Sequence, residues 1–198
     1  VNIAQQHGAR VLQRLFDNYA KQRNAALKTS EFKHPWVYMM DADERVTPNL
    51  HEEMVAAIES AGPEITVFRL RRKDIFMGRW LRRSSGYPTW ASRLLRPDRV
   101  WIERDINEEL HTDGQVGYLQ EHFIHYPFNR GMEHWLARHN QYSSMEARRL
   151  LAEQKEKLRL RGMFHADPAI RRKTFKQLAY RLPMRPWLVF LYLYGFKM

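Results

Sequence analysis

Asp41 and Asp43 stand one residue apart at the end of Trp36-Val37-Tyr38-Met39-Met40, an unbroken apolar run that follows Pro35 and stops at Asp41-Ala42-Asp43-Glu44. Two carboxylates in that setting are hard oxygen donors suited to Mg²⁺ or Mn²⁺, the ions that neutralise a diphosphate. Ends of strands in open α/β sheets are also where ligands collect. The same pair admits a plainer reading, an acidic turn in which Asp41 or Asp43 caps the helix that follows. Further along, Glu108 and Glu109 lie in Asp105-Ile106-Asn107-Glu108-Glu109-Leu110-His111. One carboxylate there would serve as a general base for a hydroxyl nucleophile, and a solvated acidic turn is the alternative. His125, in the apolar stretch Phe123-Ile124-His125-Tyr126, reads either as a packed residue or as an added metal or phosphate ligand.

These residues need a scaffold, and the hydrophobic pattern supplies one. Residues 3–7 closed by Gly8 read as the end of a helix, 9–12 as a short strand and 18–27 as a helix. The run 36–40 predicts a buried central strand. Thr47 and Pro48 predict an N-cap and first turn, with Leu50, Met54, Ala57 and Ile58 as the apolar stripe of the helix. Strands are expected at 65–71, 93–96 and 100–102, separated by loops between 74 and 100. A long helix is expected over 132–161 and another from Asp167 to about Tyr180. The apolar run from Trp187 to Tyr194 is far short of the ~20 residues that cross a bilayer, but its Trp and Tyr suit an interfacial site.

The 198 residues carry a net charge of +11, distributed unevenly. Between Arg69 and Arg83 seven basic residues face Asp74 alone, and between Arg148 and Arg185 twelve face three acids. Everything outside those two stretches is mildly acidic, so the basic segments read as surfaces for phosphates or anionic lipid, or as solvated helix faces. Nucleic-acid binding is the competing class on charge grounds, although no nucleic-acid motif accompanies it. Absence of cysteine removes thiolate metal sites, disulfides and cysteine nucleophiles. The polar start Val1-Asn2-Ile3-Ala4-Gln5-Gln6 has neither a basic nor an apolar leader region, so no signal peptide is read there.

Several motifs occur in a familiar order. They are Gly8-Ala9-Arg10-Val11, Gln22-Arg23-Asn24-Ala25-Ala26-Leu27, Asp41-Ala42-Asp43-Glu44 with Thr47-Pro48, and Gly78-Arg79-Trp80-Leu81. Tyr87-Pro88 with Arg93-Leu94, Asn107-Glu108, Gly117-Tyr118-Leu119 and His125-Tyr126 follow. In this set the chain resembles family 2 glycosyltransferases, and within them the bacterial branch similar to lipopolysaccharide-core β-1,4-glucosyltransferases. The acid pair by itself also begins haloacid-dehalogenase-like phosphatases. Those place Thr or Val two residues beyond the second Asp, where this chain has Arg45.

The resemblance implies an α/β GT-A fold, a Rossmann-like mixed sheet flanked by helices with C-terminal amphipathic helices. It divides the chain into a partial catalytic domain, 1–130, and a basic helical extension, 131–198, expected to associate with membrane. It also implies that the family's first strand would precede Val1. The implied reaction is an inverting transfer from a nucleotide-diphosphate sugar, UDP-sugar favoured, held through Mg²⁺ or Mn²⁺ at Asp41 and Asp43. Arg23 and Asn24 fall at donor contacts, and Glu108 falls at the base, preceded by Asn107 where the branch usually has His. Arg79, Arg82, Arg83, Tyr87 and Arg93 are candidate acceptor or phosphate contacts, and His125 is a candidate metal ligand. The expected partners are a lipid-linked or lipopolysaccharide acceptor and an anionic membrane surface, with no nucleic acid. The expected place is cytoplasmic, on the inner face of the cell membrane.

Overall fold

The computed structural model describes residues 1–83, 87–103, 109–153, 174, 178, 184–192 and 194–195. Its helices are α1 (Asn2–Gln6), α2 (Tyr19–Thr29), α3 (Pro48–Ser60), α4 (Met132–Glu153) and α5 (Arg185–Tyr192). Its strands are β1 (Val37–Tyr38), β2 (Glu44–Arg45), β3 (Ile65–Phe76), β4 (Arg79–Trp80), β5 (Thr89–Leu95), β6 (Val100–Glu103), β7 (Glu109–Thr112) and β8 (Gln115–His125). Six of the strands form a sheet in the order β1-β5-β3-β8-β2, with β4 folded back on β3, and β6 pairs with β7 in a separate antiparallel ribbon. The result is a mixed α/β architecture with helices flanking the sheet.

Local chemistry accounts for the helix starts. Asn18 caps α2 by accepting from the Lys21 amide at 2.8 Å, and Thr47 caps α3 through the Leu50 amide, followed by Pro48 in the first turn. Gly8 and Gly131 sit at positive φ, just after α1 and just before α4. In the middle of α3, Glu53 reaches out to β8. One of its carboxylate oxygens accepts from the Gln120 amide and the other from the Glu121 amide, both at 2.7 Å.

The chain divides into two compact units, residues 1–71 with 90–123, and residues 72–89 with 124–198. In the first unit the core gathers Leu50 and Met54 of α3 with Trp36, Phe68, Leu70, Leu94, Leu119 and Phe123. A second cluster joins Val67, Leu95 and Val100, with Leu27, Val37 and Leu110 packed against it. Gly117 is required there, because a Cβ would meet the Phe68 ring at 2.5 Å. The second unit carries an aromatic ladder in which Phe76 meets Phe128, Phe128 meets Trp135 and Trp135 stacks on His139.

Several expectations are corrected. The run 36–40 is not a central strand, since β1 has two residues, is half-buried and, among the described residues, lies at the edge of the sheet paired with β5. The central strand is β3, buried on both sides from Thr66 to Phe68. Residues 9–12 form no strand and are largely exposed, Val11 alone being half-buried. β8 was not foreseen as a strand. The helix expected over 132–161 is described to Glu153, and the one expected from Asp167 falls mostly outside the described residues.

Candidate functional site

At the end of β1 four charged side chains converge. Arg23 of α2 donates from Nη2 to Asp41 Oδ1 at 2.9 Å, and Arg93 of β5 donates from Nη2 to Asp41 Oδ2 at 2.6 Å. The same Arg93 nitrogen donates to Glu44 Oε1, and Glu44 Oε2 accepts from the Asp41 amide at 3.1 Å. Glu44 is the deepest of the four, its side chain 1% exposed, and the Arg93 guanidinium lies 5.7 Å from the Phe123 ring centroid. A buried carboxylate is tolerated only when paired and hydrogen-bonded, and here two cations balance two anions.

The environment sorts the two acids. Burial pushes the Asp41 carboxyl up, but the guanidinium charges of Arg93 and Arg23 outweigh it and hold it below the usual carboxylate range. Burial also pushes up Glu44, where Arg93 does not fully compensate, so it lies above the ordinary value. Burial, with the charge of Glu44 beside it, raises the Tyr38 phenol to about 12, and its oxygen is buried without a hydrogen-bond partner among the described residues. Asp43 is half-buried one residue beyond Asp41.

Other predicted residues take different places. Asn24 does not project into this cluster but imitates a strand: its Nδ2 donates to the Ile102 carbonyl at 2.7 Å and its Oδ1 accepts from the Ile102 amide at 2.9 Å. Arg93, expected at the acceptor, pairs with Asp41 and Glu44 in the acid cluster. Glu108 lies outside the described residues. In the second unit, His125 Nδ1 is 2.7 Å from Asp74 Oδ1, and Arg72 Nε is 2.9 Å from the same oxygen. Burial raises Asp74, but the hydrogen bond from His125 and the charge of Arg72 bring it below the usual range. Trp80 is flanked by Lys73 at 4.5 Å and Arg82 at 4.7 Å, with Tyr87 edge-on to it, and Arg79 and Arg83 are exposed on the same hairpin region.

Sequence reasoning missed Glu44 as a buried member of the site and Asp74 as the partner of His125. The available signals were a third acid directly after the pair and a lone acid inside a strongly basic stretch.

Among the described residues no group of three or more His, Asp or Glu gathers as a metal cage. Two carboxylates nonetheless match how Mg²⁺ is usually held, by one or two protein carboxylates with substrate phosphates and water completing the shell. The acid pair just beyond β1 therefore has the chemistry to help hold a hard divalent cation, with both Asp41 oxygens already accepting from guanidinium groups.

In an open α/β sheet, a charged cluster just beyond a strand end occupies the place where such folds bind ligands. The family model for glycosyl transferase family 2 matches residues 1–132, well over half of the chain, and the chain belongs to that family. It is thus a glycosyltransferase with a GT-A fold that uses nucleotide-sugar donors, which separates it from the phosphatase reading of the same acid pair.

Proposed function

We propose that this enzyme transfers a sugar, with inversion, from a nucleoside diphosphate sugar, UDP favoured, to a lipid-linked or lipopolysaccharide acceptor. The observation that supports it best is the Arg23, Asp41, Glu44 and Arg93 cluster, which fixes the backbone on which Asp43 sits. Asp43, with Asp41, would hold Mg²⁺ or Mn²⁺, and the ion supplies neutralisation of the departing diphosphate. Glu108 accepts the proton of the acceptor hydroxyl as its oxygen bonds to the anomeric carbon. The bond from that carbon to the diphosphate oxygen breaks, its electron pair leaves with the diphosphate, and a single displacement inverts the centre.

Arg79, Arg82, Arg83 and Tyr87 present cations and a phenol to acceptor phosphates, since guanidinium forks match phosphate oxygens. Among the described residues no helix is long and apolar enough to cross a membrane. α5 instead exposes Trp187, Leu188, Phe190, Leu191 and Tyr192 next to the basic segment, an arrangement suited to the interface of an anionic bilayer. On this reading the enzyme works peripherally on the cytoplasmic face of the membrane.

Calorimetric titration with a panel of nucleoside diphosphates, with and without Mn²⁺, tests the donor site. UDP binding that needs the metal and is lost in Asp43→Ala is expected, and unchanged metal-dependent binding in that variant removes Asp43 from the role. Glu108→Gln is expected to keep nucleotide binding while turnover falls by about 10²- to 10⁴-fold. An unaltered rate would place the base elsewhere.

A further inference from the structure

The β6-β7 ribbon buries one face and shows the other. Val100 and Ile102 point inward, and the Ile102 backbone is gripped by Asn24, so the ribbon is anchored from beneath. On the outer face Trp101 lies opposite His111, and Glu103 opposite Glu109. The Trp101 ring stacks on the His111 ring at 5.6 Å with 15° between their planes. Its Nε1 donates to Glu103 Oε1 at 3.1 Å, while Glu103 Oε2 lies 3.5 Å from His111 Nε2. Trp101 is nevertheless 44% exposed, and the Glu103 side chain is 60% exposed. The indole is thus held in one orientation by two neighbours without being buried by them: the imidazole stacks against it and the Glu103 carboxylate lies at its rim.

A flat apolar face with fixed polar groups at its edge complements a pyranose ring. The sugar has one face of C–H bonds that packs on an aromatic surface and a perimeter of hydroxyls that need acceptors. Each Glu103 oxygen keeps a lone pair beyond the contact it already makes, and the locked indole loses little freedom on binding. The ribbon also brackets residues 104–108, the connection that contains Glu108.

We propose that Trp101, backed by the stacked His111 ring and with Glu103 at its rim, is a saccharide subsite that receives the acceptor sugar, Trp101 stacking on the pyranose face and Glu103 accepting its hydroxyls. Its placement at the acceptor rests on the transferase reading above; its ability to bind a pyranose does not.

The test uses the ¹H–¹⁵N resonances of the indole N–H groups of the whole chain, with that of Trp101 assigned by its loss in Trp101→Phe. The probes are methyl β-D-glucopyranoside and methyl β-D-galactopyranoside, with and without UDP and Mn²⁺. Sorbitol, which has comparable hydroxyls and no ring face, is the control. Saturable movement of the Trp101 resonance with a pyranoside, absent with sorbitol and absent at the similarly exposed Trp90, is expected. Saturation transfer to the pyranoside should fall at least fivefold in Trp101→Ala and to an intermediate level in Glu103→Gln, with the amide spectrum otherwise preserved. A Trp101 resonance that ignores both pyranosides, or undiminished transfer in Trp101→Ala, overturns the subsite. The UDP and Mn²⁺ titration in the same samples separates the two ideas. Nucleotide binding with a silent Trp101 refutes the subsite alone, whereas a pyranoside response without nucleotide binding upholds a saccharide site and refutes the donor assignment.

Discussion

Arg93 is the residue on which the site depends most. It bridges Asp41 and Glu44 from within the protein, so its removal leaves two carboxylates together with only Arg23 to balance them. Breaking a buried ion pair from one side costs about 3–5 kcal/mol. Arg93→Met is expected to be destabilised on that scale in urea unfolding, and Arg93→Lys should recover only part of the loss because an ammonium lacks the planar fork. The acid limb of stability has a sign that follows from the same chemistry. Asp74 has a lowered carboxyl, so the stability it contributes is present above the ordinary Asp range, about 4, and is lost as pH falls through its folded value. Glu44 acts oppositely, being raised, so its contribution is present at low pH and is lost as pH rises through its folded value. Melting temperatures measured below about pH 4 should decline less steeply in Asp74→Asn than in the parent, and identical slopes would remove Asp74 from the account.

Elements rather than residues explain what was legible in the sequence. The cap and stripe of α3 and the strands near 93 and 100 follow from local pattern, and the structure contains them. The acid pair was legible because it interrupts an apolar run. Arg93 was not legible as a member of that site, since Ser92-Arg93-Leu94 gives no sign that a cation faces inward; that depends on acids 49 and 52 residues away in sequence. β8 was illegible for a related reason, because Gly117, Glu121 and His122 spoil the alternation that marks a strand. Asn24 shows the converse case, a polar residue in a donor motif whose carboxamide ties α2 to β6, a structural tie that its sequence neighbourhood does not signal. Asn24→Ala should cost on the order of 2 kcal/mol, as it leaves an amide and a carbonyl unpaired. Asn24→Asp should be no better, because a carboxylate accepts from the Ile102 amide but repels its carbonyl. Chemical denaturation of both variants checks this, and a neutral Asn24→Asp would mean that the carbonyl contact carries no weight.

Across the whole molecule the uneven charge sets the expected partner surface. The segment from Arg148 to Arg185 carries a strong positive excess, and the exposed aromatic helix α5 completes it. Electrostatic attraction to anionic lipid is screened within about 10 Å at 0.1 M salt, so its contribution should fade as salt is raised. Co-sedimentation with phosphatidylserine-containing vesicles should exceed that with phosphatidylcholine vesicles and drop at about 0.5 M NaCl, by the same screening. Trp187→Glu with Phe190→Glu should weaken binding at low salt, where charge alone is insufficient for interfacial insertion. Equal binding to neutral and anionic vesicles would set charge aside.

The single carboxylate of Glu53 serving two successive amides of β8 has a consequence for how the chain opens. Successive N–H groups of a flat strand point to opposite edges, so their convergence on one side chain means that β8 departs from regular geometry at Gln120 and Glu121. Those two protons then depend on a helix for part of their shielding. In deuterated water they would report the detachment of α3, exchanging together and ahead of the sheet's interior, and Glu53→Ala would release both without touching the amides on either side.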